Sequence, residues 1–321
     1  MKHIFILNPA AGKENAKESL AAQLKTAFAN VDYEIYETKS RGDAIAYIKN
    51  YCESHRDPVR FYACGGDGTL NEVVNGAVGY AHASVGCIPC GSGNDFVKYY
   101  GGKEKFFDLS AQLEATEEEI DLIRVGDRYA VNATHFGFDS CVAKVMMKVR
   151  RKKLIGGKRA YTTGIVVALM IAMRNKCRVM VDGQLLNPRG RILLCTLANG
   201  QYVGGSFRCA PRSVNHDGLM EVCLVKPVSI FKFLSLMNYY KEGTHLSDPK
   251  FKNVLKYCRA AKVEVEAPEN FVYSLDGELI TQGRFTVETV HRAIRFAVPK
   301  GAEPIVDPQY DSEIVSETVL V

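Results

Sequence analysis

The residues best placed to do chemistry stand in Gly65-Gly66-Asp67-Gly68-Thr69, which runs on into Leu70-Asn71-Glu72. They lie between an apolar stretch, Val59 to Cys64, and an amphipathic one that begins near Thr69 and carries Leu70, Val73, Val74 and Ala77 at helical spacing. The order is strand, turn, helix. Glycine adopts positive φ without a Cβ penalty, so Gly65, Gly66 and Gly68 are expected to make a sharp turn and let backbone N–H groups approach an anion. The helix start adds free donors and the positive end of its dipole. A carboxylate inside such a cradle repels a bare phosphate. Asp67 therefore makes sense as a holder of the Mg²⁺ that travels with a nucleotide, and the site implies Mg-ATP. A lone Gly-Gly-x-Gly would also serve as ordinary turn chemistry, with the aspartate as an Asx-turn or cap.

Two further loops strengthen the reading. Asn8-Pro9-Ala10-Ala11-Gly12-Lys13 follows the apolar run Lys2 to Leu7, and Gly91-Ser92-Gly93-Asn94-Asp95-Phe96 follows Ser84 to Ile88. The first is not a Walker A loop, since no glycine stands four residues before Gly12-Lys13 and Glu14 follows the lysine. Gly-Gly-Asp-Gly-Thr resembles the shared signature of the diacylglycerol, sphingosine and NAD kinase superfamily. The flanking loops resemble the Asn-Pro-x-small-Gly and Gly-(Ser/Thr)-x-Asn-Asp-Phe segments of the diacylglycerol kinase catalytic domain, in its soluble bacterial lipid kinase form. The resemblance extends to Val298. It implies ATP contacts from Asn8, Pro9, Ala10, Ala11, Gly12, Thr38, Gly65, Gly66, Asp67, Gly68, Thr69, Asn71, Glu72, Gly91, Ser92 and Asn94.

Phosphoryl transfer also needs a group near the acceptor hydroxyl. In Ser274-Leu275-Asp276-Gly277-Glu278 the Asp-Gly pair is first of all a hairpin signal, and Val181-Asp182-Gly183-Gln184 has the same form with no evident chemistry. The resemblance makes Asp276 the base, with Glu278 as alternative or helper. It also implies that Asp121 joins a metal–water network at the active site, although an aspartate between Ile120 and Leu122 is ordinarily the solvated face of a strand. In Val214-Asn215-His216-Asp217-Gly218-Leu219 it implies a structural Mg²⁺ on Asp217 and the carbonyls of Val214 and Leu219. His216 stands where many relatives carry a second aspartate, which removes a negative charge.

The elements that must position these groups fall into two textures. Up to Ile120, strands alternate with helical stretches, as in Glu14 to Phe28 and Gly42 to Ser54, with Tyr33 to Thr38 as a second strand. This predicts an N-terminal nucleotide-binding α/β domain with a parallel sheet over 1–125, its glycine loops converging at the carboxyl ends of the strands. Beyond it, short segments such as Asp121 to Val125, Tyr129 to Thr134, Arg178 to Val181, Ile192 to Ala198 and Met220 to Val225 predict an antiparallel β-sandwich domain over 126–293. Lys262 to Ala267, Phe271 to Leu275 and Arg284 to Val290 continue it. Helical insertions are expected near Ser140 to Arg151, Lys158 to Arg174 and Ser229 to Glu242. The fold class is thus α/β plus β, with 294–298 as a strand returning to the first domain and 299–321 as a tail.

Composition excludes disordered and fibrous classes, at 47% hydrophobic and 24% charged residues. Neither a signal peptide nor an apolar run long enough to span a bilayer is visible, so a soluble cytoplasmic protein is expected. The ten cysteines read as reduced, small apolar residues, the lone Cys87-Ile88-Pro89-Cys90 included. The net charge of +5 is concentrated in Lys144 to Arg159, which holds no acid and interleaves Val145, Met146, Leu154 and Ile155. That mixture suits peripheral contact with an anionic membrane better than a nucleic acid, for which no fold signature is present. A β-domain edge strand leaves room for a homodimer. The expected activity is transfer of the ATP γ-phosphate to a membrane lipid, most simply diacylglycerol. NAD kinase shares the glycine run but requires neither the Asp-Gly-Glu hairpin nor the basic apolar helix. A silent nucleotide- or lipid-binding regulator is the reading from another class.

Overall fold

The computed structural model describes residues 1–11, 16–150 and 158–306. Four parallel strands, in the spatial order Tyr33–Glu37, Lys2–Leu7, Val59–Gly65, Ala83–Pro89, form the N-terminal sheet. Three of them are almost wholly apolar because both faces are covered, the reason parallel strands read as runs rather than alternations. One face packs helices Asp43–Ser54 and Asp67–Ala77 over Ile4, Phe61 and Val85; the other packs Ala16–Ala27 over Phe5, Tyr62 and Phe28. Because the strands are parallel, the loops at 8–11, 66–68 and 90–94 all leave from one edge.

The second half is a sandwich. A six-stranded antiparallel sheet includes Ala133–Gly137, Leu194–Ala198, Met220–Val225, Leu255–Ala260 and Val272–Leu275. It faces a layer made by Arg178–Val181, Lys262–Glu266 and Thr116–Val125, and Phe136, Leu197, Val222, Val263 and Val287 meet between them. Its other face carries helices Phe138–Arg150, Lys158–Ile171 and Ile230–Glu242, packed on Ala133, Leu194, Cys223 and Leu255. The fold is α/β plus β.

A single strand, Arg284–Val298, joins the halves. Its first residues pair with Lys262–Glu266, its later ones with Thr116–Val125, and Arg295 and Phe296 lie parallel to Ser84 and Val85. The strand thus runs from the sandwich into the N-terminal sheet, through a register shift between Val290 and Ile294 where Arg292 takes φ 47.

Several expected elements change. Tyr129 to Thr134 is two strands, Arg128–Ala130 and Ala133–Gly137, and the strand expected from Asp121 begins at Thr116. Leu255–Ala260 and Glu278–Thr281 are strands that the alternation did not reveal. The helix after the glycine run starts at Asp67 rather than near Thr69. Gly12 and Lys13 lie outside the described residues, as does Arg151 to Gly157 of the basic run.

Candidate active site

Gly66 caps the helix Asp67–Ala77, so the Asp67 carboxylate stands in its first turn at the sheet edge. The neighbouring glycines do not need positive φ. Gly66 has φ −95, and neither Gly65 nor Gly68 takes a left-handed conformation, which corrects the expectation of a turn made by such residues. Close approach is what they provide. A Cβ on Gly66 would lie 3.1 Å from Gly91 Cα, and one on Gly93 would lie 2.7 Å from Asp67 Oδ2. The two glycine loops press backbone to backbone, and Gly68 alone of the run faces open space. Asn94, at φ 48, holds the second loop shut by accepting from Gly91 N at 3.0 Å and donating to Gly91 O at 2.8 Å and Pro89 O at 3.2 Å.

Asp67 Oδ1 accepts from Asp95 N at 2.6 Å. Burial, followed by the charge of Asp95, raises the Asp67 pKa above the ordinary range. Asp95 is itself tied to Lys98 Nζ at 2.6 Å and to Gly205 N at 3.0 Å. Two carboxylates in mutual repulsion beside a helix N-terminus are a donor set that fits a hard cation such as Mg²⁺. Asp95, Lys98 and Gly205 were not singled out from sequence, although Asp95 stands inside the Gly91–Phe96 segment.

Asp276 sits at the hairpin tip between Val272–Leu275 and Glu278–Thr281, at φ 45. Its Oδ1 accepts from Asn132 N at 3.1 Å and Ala133 N at 2.9 Å; its Oδ2 accepts from Val131 N at 2.7 Å and Asn71 Nδ2 at 3.0 Å. Burial nevertheless pushes its pKa up to about 6 against these four donors. Asn71 belongs to the Asp67 helix and also donates to Tyr129 O at 2.8 Å, so it links that helix to the Asp276 carboxylate and to the Arg128–Ala130 strand.

Asp67, Ser92, Gly93, Asp95 and Asp276 all line one cavity of about 520 Å³. Away from these groups it continues as an apolar chamber between the six-stranded sheet and the helices, walled by Val142, Ile165, Leu194, Phe233, Leu236 and Met237. Asp139 also lines it, and burial raises its pKa to about 6.

Other expected site residues hold the scaffold. Asn8 accepts from Ala10 N and donates to Thr69 Oγ1 at 3.1 Å, tying the first loop to the helix. Thr38 Oγ1 donates to Leu7 O, and Glu72 accepts from Gly42 N at 2.9 Å. Glu278 does not line the cavity: its carboxylate pairs with Arg41 and, at 3.4 Å, with Arg128. Both cations draw it outward. Asp121 does not reach the cavity either. It is fully buried and accepts from Gly218 N at 2.6 Å and Arg292 N at 2.7 Å, with His291 Nδ1 at 2.8 Å, which stitches the 214–219 loop to the register shift. Asp217 accepts from Leu219 N at 3.0 Å and pairs with Arg259 at 3.6 Å. Asp217 thus stands in the 214–219 loop with its carboxylate turned toward the Arg259 guanidinium. Among the described residues no group of three or more His, Cys, Asp or Glu side chains is arranged to hold a metal.

Comparison with known proteins identifies the two halves of the chain. The diacylglycerol kinase catalytic domain matches residues 2–125, and the YegS C-terminal NAD kinase beta sandwich-like domain matches residues 132–298. A diacylglycerol kinase of Bacillus subtilis is 29% identical over 305 residues, covering 92% of this chain and 96% of that protein. A diacylglycerol kinase of Staphylococcus carnosus is 27% identical, covering 85% and 87%. A solved structure of a Bacillus anthracis diacylglycerol kinase superposes with a TM-score of 0.69 at 20% identity, over 94% of this chain and 98% of that one.

Proposed function

We propose that this chain, which belongs to the lipid kinase family built from these two domains, transfers the γ-phosphate of ATP to the free hydroxyl of diacylglycerol, giving phosphatidic acid and ADP. The observation that carries the reading is the cavity, with carboxylates and phosphate-type backbone loops at one end and a hydrocarbon-lined chamber at the other. A soluble dinucleotide, the acceptor of an NAD kinase, has no use for such a chamber.

In this mechanism backbone N–H groups of the loops at 66–68 and 92–93 bind the nucleotide phosphates, and Asp67 with Asp95 would hold Mg²⁺. Bound there, the ion would neutralise phosphate charge. Asp276 accepts the proton of the acceptor hydroxyl as its oxygen bonds to the γ-phosphorus and the bond to ADP breaks. A carboxylate with a pKa near 6 is ionised at neutral pH, yet is a stronger base than an exposed aspartate. The apolar chamber takes the acyl chains and keeps water from competing for the phosphoryl group.

The reading includes docking on an anionic bilayer. Lys144 and Lys148 are exposed, and the helices whose inner faces line the chamber turn Val166, Met170, Ile171, Phe231 and Leu234 outward. The side chains of the basic run beyond Lys148 lie outside the described residues. Among the described residues no helix is long and apolar enough to cross a membrane.

The test is transfer of label from γ-labelled Mg-ATP to diacylglycerol in anionic mixed micelles, with sphingosine, ceramide and NAD alongside. Labelled phosphatidic acid, abolished by Asp276→Ala, is the expected result. Label in NADP, or in no product, overturns the reading.

A further inference from the structure

The sheet face inside the chamber is not uniformly apolar. Ser274 and His135 are register partners on adjacent antiparallel strands, and His135 is in turn opposite Thr196. This row begins two residues from Asp276 and ends under Tyr240, whose hydroxyl lies 3.4 Å from Thr196 Oγ1. Ser274 is 0% exposed, and both Ser274 and His135 line the cavity.

Among the described residues, neither Ser274 Oγ nor His135 Nδ1 has a hydrogen-bond partner. Leaving a buried hydroxyl and a buried ring nitrogen unsatisfied destabilises a fold, and most native interiors avoid it. The cavity they line is mostly apolar, with Phe138, Leu193, Leu194 and Val225 among its walls. Alanine would fill the Ser274 position without the penalty. Burial holds the His135 pKa at about 4, so near neutral pH the ring is uncharged and offers one N–H.

We infer that Ser274 and His135 form a subsite for an ester carbonyl of the acceptor lipid, the one next to the hydroxyl that Asp276 deprotonates. The inference rests on the diacylglycerol reading above. An ester oxygen accepts and never donates, which matches a hydroxyl and a neutral imidazole N–H. Two residues along a strand span roughly 6–7 Å, a reach suited to a carbonyl a few bonds from the reacting oxygen. Beyond that point the acyl chains meet Phe233, Leu236 and Met237.

A double-mutant cycle between protein and substrate tests this. Wild-type protein and Ser274→Ala are assayed on 1,2-diacylglycerol and on the matched 1,2-dialkylglycerol, whose ether linkages lack the carbonyl. Wild type is expected to favour the diester by about tenfold in kcat/KM, and Ser274→Ala to narrow the ratio to about twofold, with the loss on the diester. The variant is expected to melt no lower than wild type, since it removes an unsatisfied hydroxyl. Equal turnover of both lipids by wild type, or a ratio unmoved by the substitution, overturns the inference while leaving diacylglycerol kinase activity intact. A fall in melting temperature of several degrees makes Ser274 structural and overturns it as well. No turnover of either lipid defeats the underlying reading and takes the inference with it.

Discussion

At the scale of single residues, the difference between Asp276 and Glu278 decides which one suits the proposed role of base. They are two positions apart, but the Asp276 oxygens are held inside by backbone donors from 131–133 and by Asn71, whereas Glu278 is drawn outward by Arg41 and Arg128. Burial raises the Asp276 pKa to about 6, and the group must be ionised to accept a proton. The kcat/KM profile should therefore rise with pH and level off above about 6, with protonation below that value removing the base. Glu278→Ala should keep this acid limb in place, and because a surface ion pair is worth about 0–1 kcal/mol its melting temperature should move little. An acid limb near 4, or one displaced by Glu278→Ala, would transfer the role away from Asp276. Asp121 and Asp217 show the limit of motif transfer. Each matches a family position, but a motif does not say which neighbours a carboxylate will have, and here those neighbours include backbone amides, His291 and Arg259.

At the scale of elements, the glycine run was legible as a phosphate loop but for an incomplete reason. Sequence shows that a Cβ is missing; it does not show whether the backbone needs φ above zero or a neighbour needs the space. Gly66 and Gly91 serve the second purpose, since the two loops touch at their Cα atoms. Gly91→Ala should force the loops apart, costing about 1–3 kcal/mol of stability in the manner of an overpacked site and weakening nucleotide binding. Gly68→Ala, whose Cβ would meet nothing within 4 Å, should melt close to wild type. Thermal unfolding with and without ATP separates the two variants, and equal destabilisation would contradict the packing account. The strand Leu255–Ala260 was missed for a related reason. Tyr257 faces the helix layer and Cys258 the sandwich interior, so both faces are covered and the alternation that marks a half-exposed strand is lost. Ser274 was unreadable in the same way, because a serine in a hairpin strand looks like a solvated position until the helices are seen to roof it.

At the scale of the whole molecule, the strand Arg284–Val298 and the Asn71–Asp276 bond make the two halves one reaction chamber, and its apolar end lies under helices with exposed hydrophobic side chains. The proposed bilayer docking should therefore have two components that respond differently to salt. Phe231 is 86% exposed, and fully burying a side chain of this kind stabilises by roughly 1.5–3 kcal/mol. Phe231→Ser should thus weaken partition into vesicles by about tenfold or more at any ionic strength. In that docking the exposed Lys144 and Lys148 would act through the surface potential, at about 1 kcal/mol per charge near an anionic leaflet. Replacing both with glutamine should weaken binding strongly at low salt and hardly at all at high salt, where screening has already removed the attraction. Sedimentation with phosphatidylglycerol–phosphatidylcholine vesicles across a salt series resolves the two. If Phe231→Ser leaves partition unchanged while the lysine pair still matters, the helices do not enter the bilayer. The lipid would then have to leave the membrane before reaching Asp276, and kcat/KM would follow free lipid concentration rather than its surface density.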